Sequence, residues 1–225
     1  MWILYLYYYL LYNFVNEFGE IATNTKICDS NGENDMQVKN KGNTVSDKSK
    51  LWMEKALTKL LKTESFQKIT IKEITDKAGL SRRTFYRNYS SKEEIIKGLI
   101  AKILLEYRSL IGRQADLSLA GVSKTIFTLA QKHKDFLLML NRNRLIPILM
   151  EEIDGFLPPL FEMVKGHRID CPEESVQYAL TFGAGGFVRI LMRWLDEGGN
   201  KPPEKMMLIM DDIVKICNYP QLIND

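Results

Sequence analysis

At 225 residues the chain has room for one large or two small domains with a real core, and 45% hydrophobic against 26% charged residues excludes wholesale disorder. A net charge of +3 marks no partner by itself. Between Phe66 and Lys92, however, seven Lys/Arg face only Glu73 and Asp76, a local +5 that leaves the remainder of the chain at −2.

Cys28, Cys171 and Cys217 form no CxxC pair, so free thiols in a reducing cytoplasm are expected rather than a disulfide framework. His133 and His167 have no Cys or His at ligand spacing, and neither metal nor cofactor is expected. The run Trp2 to Tyr12 is strongly apolar, but no Lys or Arg precedes it, so it lacks the basic region of a secretory signal. It stops at Asn13 and Glu17, short of the roughly 20 apolar residues of a spanning helix. Three readings stand: a segment upstream of the start, a short helix docked on the body or a membrane surface, or a marginal anchor over residues 2–18. Asn24 to Ser49 reads as a polar linker containing Met36, and a start at Met36 is the favoured expectation.

Helical periodicity governs the rest. With Ser46 as N-cap, Met53, Ala56, Leu57, Leu60 and Leu61 form an i, i+3, i+4, i+7, i+8 stripe. Thr70 and Glu73 make a capping box ahead of Ile71, Ile74 and Ala78, and Gly79 ends that short helix. Ser81 caps a third, very short helix. Ser91, with Glu94 in the capping-box position, opens a long fourth that keeps period to about Gly112. Further helices are predicted over Leu119–Lys132, Asp135–Asn141, Leu145–Val164, Pro172–Glu197 and Pro202–Asn218. Strand-like alternation is absent, so the fold class is all-α, with about nine helices.

Thr70 to Tyr89 is two short helices around a glycine turn, the layout that sets a second helix in the DNA major groove. On a wheel of 100° per residue, Phe85 and Tyr89 point inward; Arg83, Thr84 and Arg87 point outward, flanked by Arg82 and Tyr86. Arginine there can donate bidentately to guanine O6 and N7. Thr84, Asn88 and Lys92 suit phosphate oxygens, Lys92 from the first turn of its helix.

The run ITIKEITDKAGLSRRTFYRNYSSKEEII resembles the DNA-binding domain of the tetracycline-repressor (TetR) family of bacterial transcriptional regulators. The likeness rests on the small residue and glycine at the turn, then S-x-x-T-F-Y-x-x-aromatic and S-K-E-E, over about 60 residues from Asp47 to Tyr107. It implies that Thr70 and Lys72 approach phosphates, that Arg82, Arg83 and Tyr86 read bases or line the groove, and that Thr84 and Lys92 clamp the backbone. Asn88 stands where the family usually has Tyr or His, and Tyr89 where it usually has Phe. The resemblance also implies a homodimer on double-stranded DNA with a palindromic operator, released by a small, lipophilic effector bound in a C-terminal domain.

Three regions result: 1–45, an apolar segment and polar linker; 46–107, a helix-turn-helix DNA-binding domain with its motif at 70–89; and 108–225, an effector-binding and dimerisation domain. The stripe through Phe187, Ile190 and Trp194, together with Met210 and Ile213 of the last helix, is the expected dimer interface. Gly183, Gly185 and Gly186 inside that helix point to close approach by another helix. Tyr107, Phe127, Phe136, Met139, Met150 and Phe156 are the expected effector pocket, and His133 is expected to cap a helix C-terminus. No GxSxG, P-loop, HExxH or Cys–His pairing marks an enzyme, and Glu151 and Glu152 point about 100° apart on a helix. The alternative to a cytoplasmic repressor is a membrane-associated helical interaction protein anchored by residues 2–18.

Overall fold

A computed structural model describes residues 45–164 and 172–218. The apolar run at 2–18, most of the linker, Met36, Cys28, His167 and Cys171 lie outside them, as do the side chains of Met163 and Cys217. Among the described residues every regular element is a helix: α1 (Val45–Leu60), α2 (Ile71–Ala78), α3 (Arg82–Asn88), α4 (Lys92–Ile111), α5 (Leu119–Lys132), α6 (Lys134–Arg142), α7 (Ile146–Val164), α8 (Glu173–Asp196) and α9 (Pro203–Asn218). None of them is long and apolar enough to cross a membrane. Contacts divide the described chain into two units that meet within α4, between Ile100 and Ala101.

The first unit is built on the α1 stripe. Met53, Ala56, Leu57 and Leu60 are buried, and Phe66, Ile69, Ile74, Phe85, Ile95, Ile96 and Ile100 complete the core. Full burial of each large side chain is worth roughly 1.5–3 kcal/mol, which is what allows helices of seven and eight residues to persist here. Both signals bounding α2 are present: Thr70 and Glu73 form the capping box, and Gly79 takes a left-handed C-cap at φ 66°, ψ 33°. Two start signals fall elsewhere than expected. The α1 helix already includes Val45, so Ser46 lies within its first turn. Glu94 accepts from the N–H and hydroxyl of Ser90, both at 2.7 Å, so the serine before Ser91 makes that link.

In the second unit α5 packs along α9, while α8 packs on α6 and α7. Its largest fully buried side chain is Trp194, 2% exposed, whose ring meets Phe127 edge-on at 5.4 Å and whose Nε1–H donates to the Lys201 carbonyl at 3.0 Å. Gly198 and Gly199 turn the chain there at positive φ, and Gly199 N–H closes onto the Trp194 carbonyl at 2.8 Å. His133 donates its backbone N–H to the end of α5, as a cap should. Its imidazole pairs with Glu106 of α4 at 2.9 Å, beside the Lys132 ammonium. The hydrogen bond from Lys132, and then that from His133, holds the Glu106 carboxyl below its ordinary range. The α7 helix runs through Pro158 and Pro159, which can donate nothing to the ladder, so the Asp154 carbonyl lacks its usual partner.

Space around Gly79 is open, so an added methyl would clash with nothing. Gly79→Ala should therefore cost about 1 kcal/mol through backbone conformation alone, read as a lower denaturant midpoint; an unchanged midpoint would mean that the turn is not left-handed.

Candidate nucleic-acid interface

Seven residues are too few to make a stable helix on their own, so α3 depends on its cap and on its packing. Ser81 Oγ accepts from the Thr84 N–H at 3.1 Å and lies 3.0 Å from the Thr84 hydroxyl. Phe85 is fully buried and Tyr89 nearly so, their ring centroids 6.0 Å apart. Tyr89 reaches Glu54 of α1 with its hydroxyl at 3.4 Å; burial first, and the neighbouring Glu54 charge second, push its pKa up.

The opposite face is left to solvent. Arg82, Arg83 and Arg87 are exposed, and among the described residues none of their guanidiniums makes a hydrogen bond or ion pair. Tyr86, 60% exposed, stands with them and meets Phe85 edge-on at 5.4 Å. Lys72 on α2 is likewise exposed, its ammonium unbonded.

Three of the polar residues expected on phosphates are engaged inside the protein. Lys92 folds back over the Phe66 ring, its ammonium 4.6 Å from the centroid, and donates to the carbonyls of Phe66 (2.6 Å), Ile69 (2.7 Å) and, at longer range, Gln67 (3.4 Å). The stem is long enough to turn back on a loop whose carbonyls have no helical donors, and it ties that loop to α4. Asn88 is engaged in a similar way. Its amide donates to the Thr84 carbonyl at 2.7 Å and its oxygen accepts from Ser46 at 2.6 Å, fastening α1 to the end of α3. Thr70 gives both its N–H and its hydroxyl hydrogen to Glu73 at 2.7 Å. What α2 still offers an anion is the first-turn N–H of Ile71 and Lys72 and the Lys72 side chain. Sequence reasoning missed Ser46, Glu54 and Ser90 as supports, and only the two-serine run at 90–91 carried a signal for one of them.

In the second unit, two of the expected dimer residues are core. Trp194 and Met210 are buried within a single chain, and Phe187 leans on Phe127 at 6.4 Å. A helical stripe shows that one face is covered without showing by what. The large apolar groups that α8 and α9 leave exposed are Tyr178 (71%), Phe182, Leu208 and Ile216. Gly185 and Gly186 have nothing within 4 Å of an added Cβ, so among the described residues no helix uses the approach they permit. Of the expected pocket residues, Tyr107 and Phe156 come together, ring centroids 6.2 Å apart. Burial pushes the pKa of Tyr107 up. Phe136, Met139 and Met150 are half-buried. Phe127 is fully buried, with the rings of Trp194 and Phe187 against it. No group of three potential metal ligands occurs among the described residues.

A capped α2, a left-handed glycine turn and an α3 with buried aromatics beneath an unpaired cationic face define a helix-turn-helix module of the DNA-binding kind. The comparisons agree. The sequence profile of bacterial regulatory proteins of the tetR family matches residues 55–99, and that of a transcriptional regulator C-terminal region matches residues 119–215. Over 154 residues, 64% of this chain, the sequence is 26% identical to YxbF of Bacillus subtilis, an uncharacterised HTH-type transcriptional regulator; the match spans 38% of that protein's length. Among solved structures, Lin0861 from Listeria innocua shares the fold with a TM-score of 0.65 at 15% identity, over 83% of this chain and 96% of that one. A TetR transcriptional regulator from Streptococcus agalactiae shares it at 0.54 and 22% identity, over 75% and 94%. The chain belongs to the tetR family of bacterial transcriptional regulators.

The contrast between two lysines is testable. Lys72→Ala should flatten the dependence of log K on log salt by about 1. Lys92→Met should leave that slope alone and lower folding stability by about 1.5 kcal/mol, the worth of hydrogen bonds from a charged donor. Binding isotherms at several salt concentrations beside denaturant unfolding separate the two; an altered slope for Lys92→Met would restore it to the phosphates.

Proposed function

We propose that the chain is a sequence-specific DNA-binding repressor that acts in the cytoplasm as a homodimer on a palindromic operator and is released by a small, lipophilic effector. The observation that carries this reading is the α3 face: Arg82, Arg83, Arg87 and Tyr86 project from a helix whose other side is fixed by Phe85 and Tyr89. A guanidinium unpaired in the free protein has both its forked donors available for a base edge or a phosphate. Phosphate contact is left to Lys72 and the first α2 amides, with Thr84 at the rim.

Dimerisation is supported by the exposed apolar groups of α8 and α9 and by the open space over Gly185 and Gly186. Tyr178, Phe182, Leu208 and Ile216 join the half-buried Phe187, Ile190 and Ile213 in the proposed interface, and Trp194 and Met210 leave it. An isologous pairing through this face gives the dimer two copies of α3, one for each half of a palindrome. For the effector, Tyr107 and Phe156 form the best-supported wall. Tyr107 lies on α4, the continuous helix whose first turns also carry Ile95, Ile96 and Ile100 of the DNA-binding core. A ligand that prefers a displaced α4 lowers operator affinity by its differential affinity for the two arrangements and by no more than that.

Selection of bound fragments from random duplex DNA should return an inverted repeat. With that operator in hand, Arg83→Ala should lose roughly 1–3 kcal/mol of discrimination at one base position per half-site. Fragments without two-fold symmetry would end the palindrome reading, and undiminished discrimination would end the assignment of Arg83. Tyr178→Glu with Phe182→Glu should convert a dimer into a monomer by sedimentation; a dimer that survives both places the interface elsewhere. Titration of lipophilic compounds into the operator complex tests release, and an affinity that none of them changes removes the effector from the scheme.

A further inference from the structure

The back of the DNA-binding unit carries a second basic site. Trp52, Lys55, Ala56 and Lys59 of α1 and Lys77 and Ala78 of α2 line an open groove of about 280 Å³. Its floor is the two alanines, one wall is the Trp52 indole, 49% exposed, and its rim holds three ammonium groups. Among the described residues none of these ammoniums makes a hydrogen bond or ion pair. Asp76, the acidic residue next to Lys77 in sequence, is not among the groove's lining.

The orientation of α1 decides what can fill the groove. Ser46 is bonded to Asn88, Lys50 stands 6.0 Å over the Tyr89 ring, and Glu54 accepts from Tyr89, so this side of α1 faces α3. At 100° per residue, Trp52, Lys55 and Lys59 lie roughly 170° around the helix from those three. A duplex read by α3 is therefore on the wrong side of α1 to reach them. Lys48 falls on the same turned-away face, and the two acids of α1, Asp47 and Glu54, do not. From Lys48 to Lys59 this cationic stripe is about 16 Å long at 1.5 Å per residue, the reach of about five residues of extended chain.

We propose that this groove docks an acidic segment of another protein, one that inserts a large apolar side chain against Trp52 over Ala56 and Ala78 and sets flanking carboxylates on Lys55, Lys59 and Lys77. Charge complementarity selects the acid, and the exposed indole over an alanine floor selects the apolar anchor. A free small molecule would be poorly enclosed, because the groove is open. A continuous peptide needs only one side chain enclosed and gains the rest along the lysine stripe. This surface is separate from the α3 face, so a regulator seated on DNA keeps it available.

The probe is the peptide Glu-Asp-Glu-Phe-Glu-Asp-Glu-amide, carrying fluorescein on its amino terminus, titrated with the full chain by anisotropy. The same peptide with its Phe replaced by Ala, and one with every acid replaced by Lys, serve as comparisons. The expected result is saturable binding of the first peptide, weakened at least tenfold by Lys55→Glu/Lys59→Glu/Lys77→Glu and at least fivefold by Trp52→Ala. The Ala peptide should bind more weakly and the Lys peptide not at all. Duplex DNA affinity of the Trp52→Ala protein should stay within twofold of the unaltered chain, with circular dichroism confirming that each variant folds. No saturable binding, equal binding by the triple variant, or equal binding of the Phe and Ala peptides overturns the proposal. So does a loss of DNA affinity in Trp52→Ala as large as that in Arg83→Ala, which would make the groove part of the DNA interface.

Discussion

The burial of two aromatic rings, Phe85 and Tyr89, against α1 is the constraint on which the DNA-binding unit turns. A helix of seven residues closes too few hydrogen bonds to offset the entropy of its own nucleation. It exists because Ser81 satisfies an orphan amide at one end and because those rings leave water. The same burial fixes which way the helix faces, since Arg83 and Arg87 lie on the side that the aromatics vacate. Helix, orientation and charge presentation thus follow from one packing event.

Around that event the short polar side chains serve the scaffold and the guanidiniums do not. Asn88 joins α3 to α1, Lys92 joins the loop after α1 to α4, and Thr70 and Glu73 close on one another. The division has a physical logic. An amide or a hydroxyl with a nearby partner gains a hydrogen bond at little entropic cost, whereas three neighbouring arginines repel and extend into solvent. A free surface rich in arginine beside one rich in satisfied polar groups is a chemical partition, and it was drawn by geometry rather than by residue type.

Much of the fold was legible because its signals are local. The α1 stripe, the Thr70–Glu73 box, Gly79 and the paired glycines at 198–199 each act within one or two turns, and the helices lie close to where those signals put them. The sequence says least where the partner is remote along the chain. Trp194 and Met210 read as an interface because periodicity reports a covered face and is silent about which chain covers it. Lys92 read as a phosphate ligand because it opens a helix; the carbonyls it prefers belong to residues 23–26 positions earlier. Ser91 and Ser90 are chemically identical neighbours, and only backbone geometry chooses between them. The arginine face needed no remote information, since exposure is what remains when the aromatics are placed.

The consecutive prolines of α7 carry a mechanical consequence. With no amide hydrogen at 158 or 159, the helical ladder is missing two rungs, and the Asp154 oxygen has neither an i+4 nor an i+5 backbone donor. A rod with rungs missing bends at the gap before it bends anywhere else. Phe156, its ring tilted at 55° to that of Tyr107, sits just ahead of that gap. The weakest point of the α7 ladder therefore lies beside an aromatic pair, where a load applied to that pair meets one joint instead of an unbroken rod.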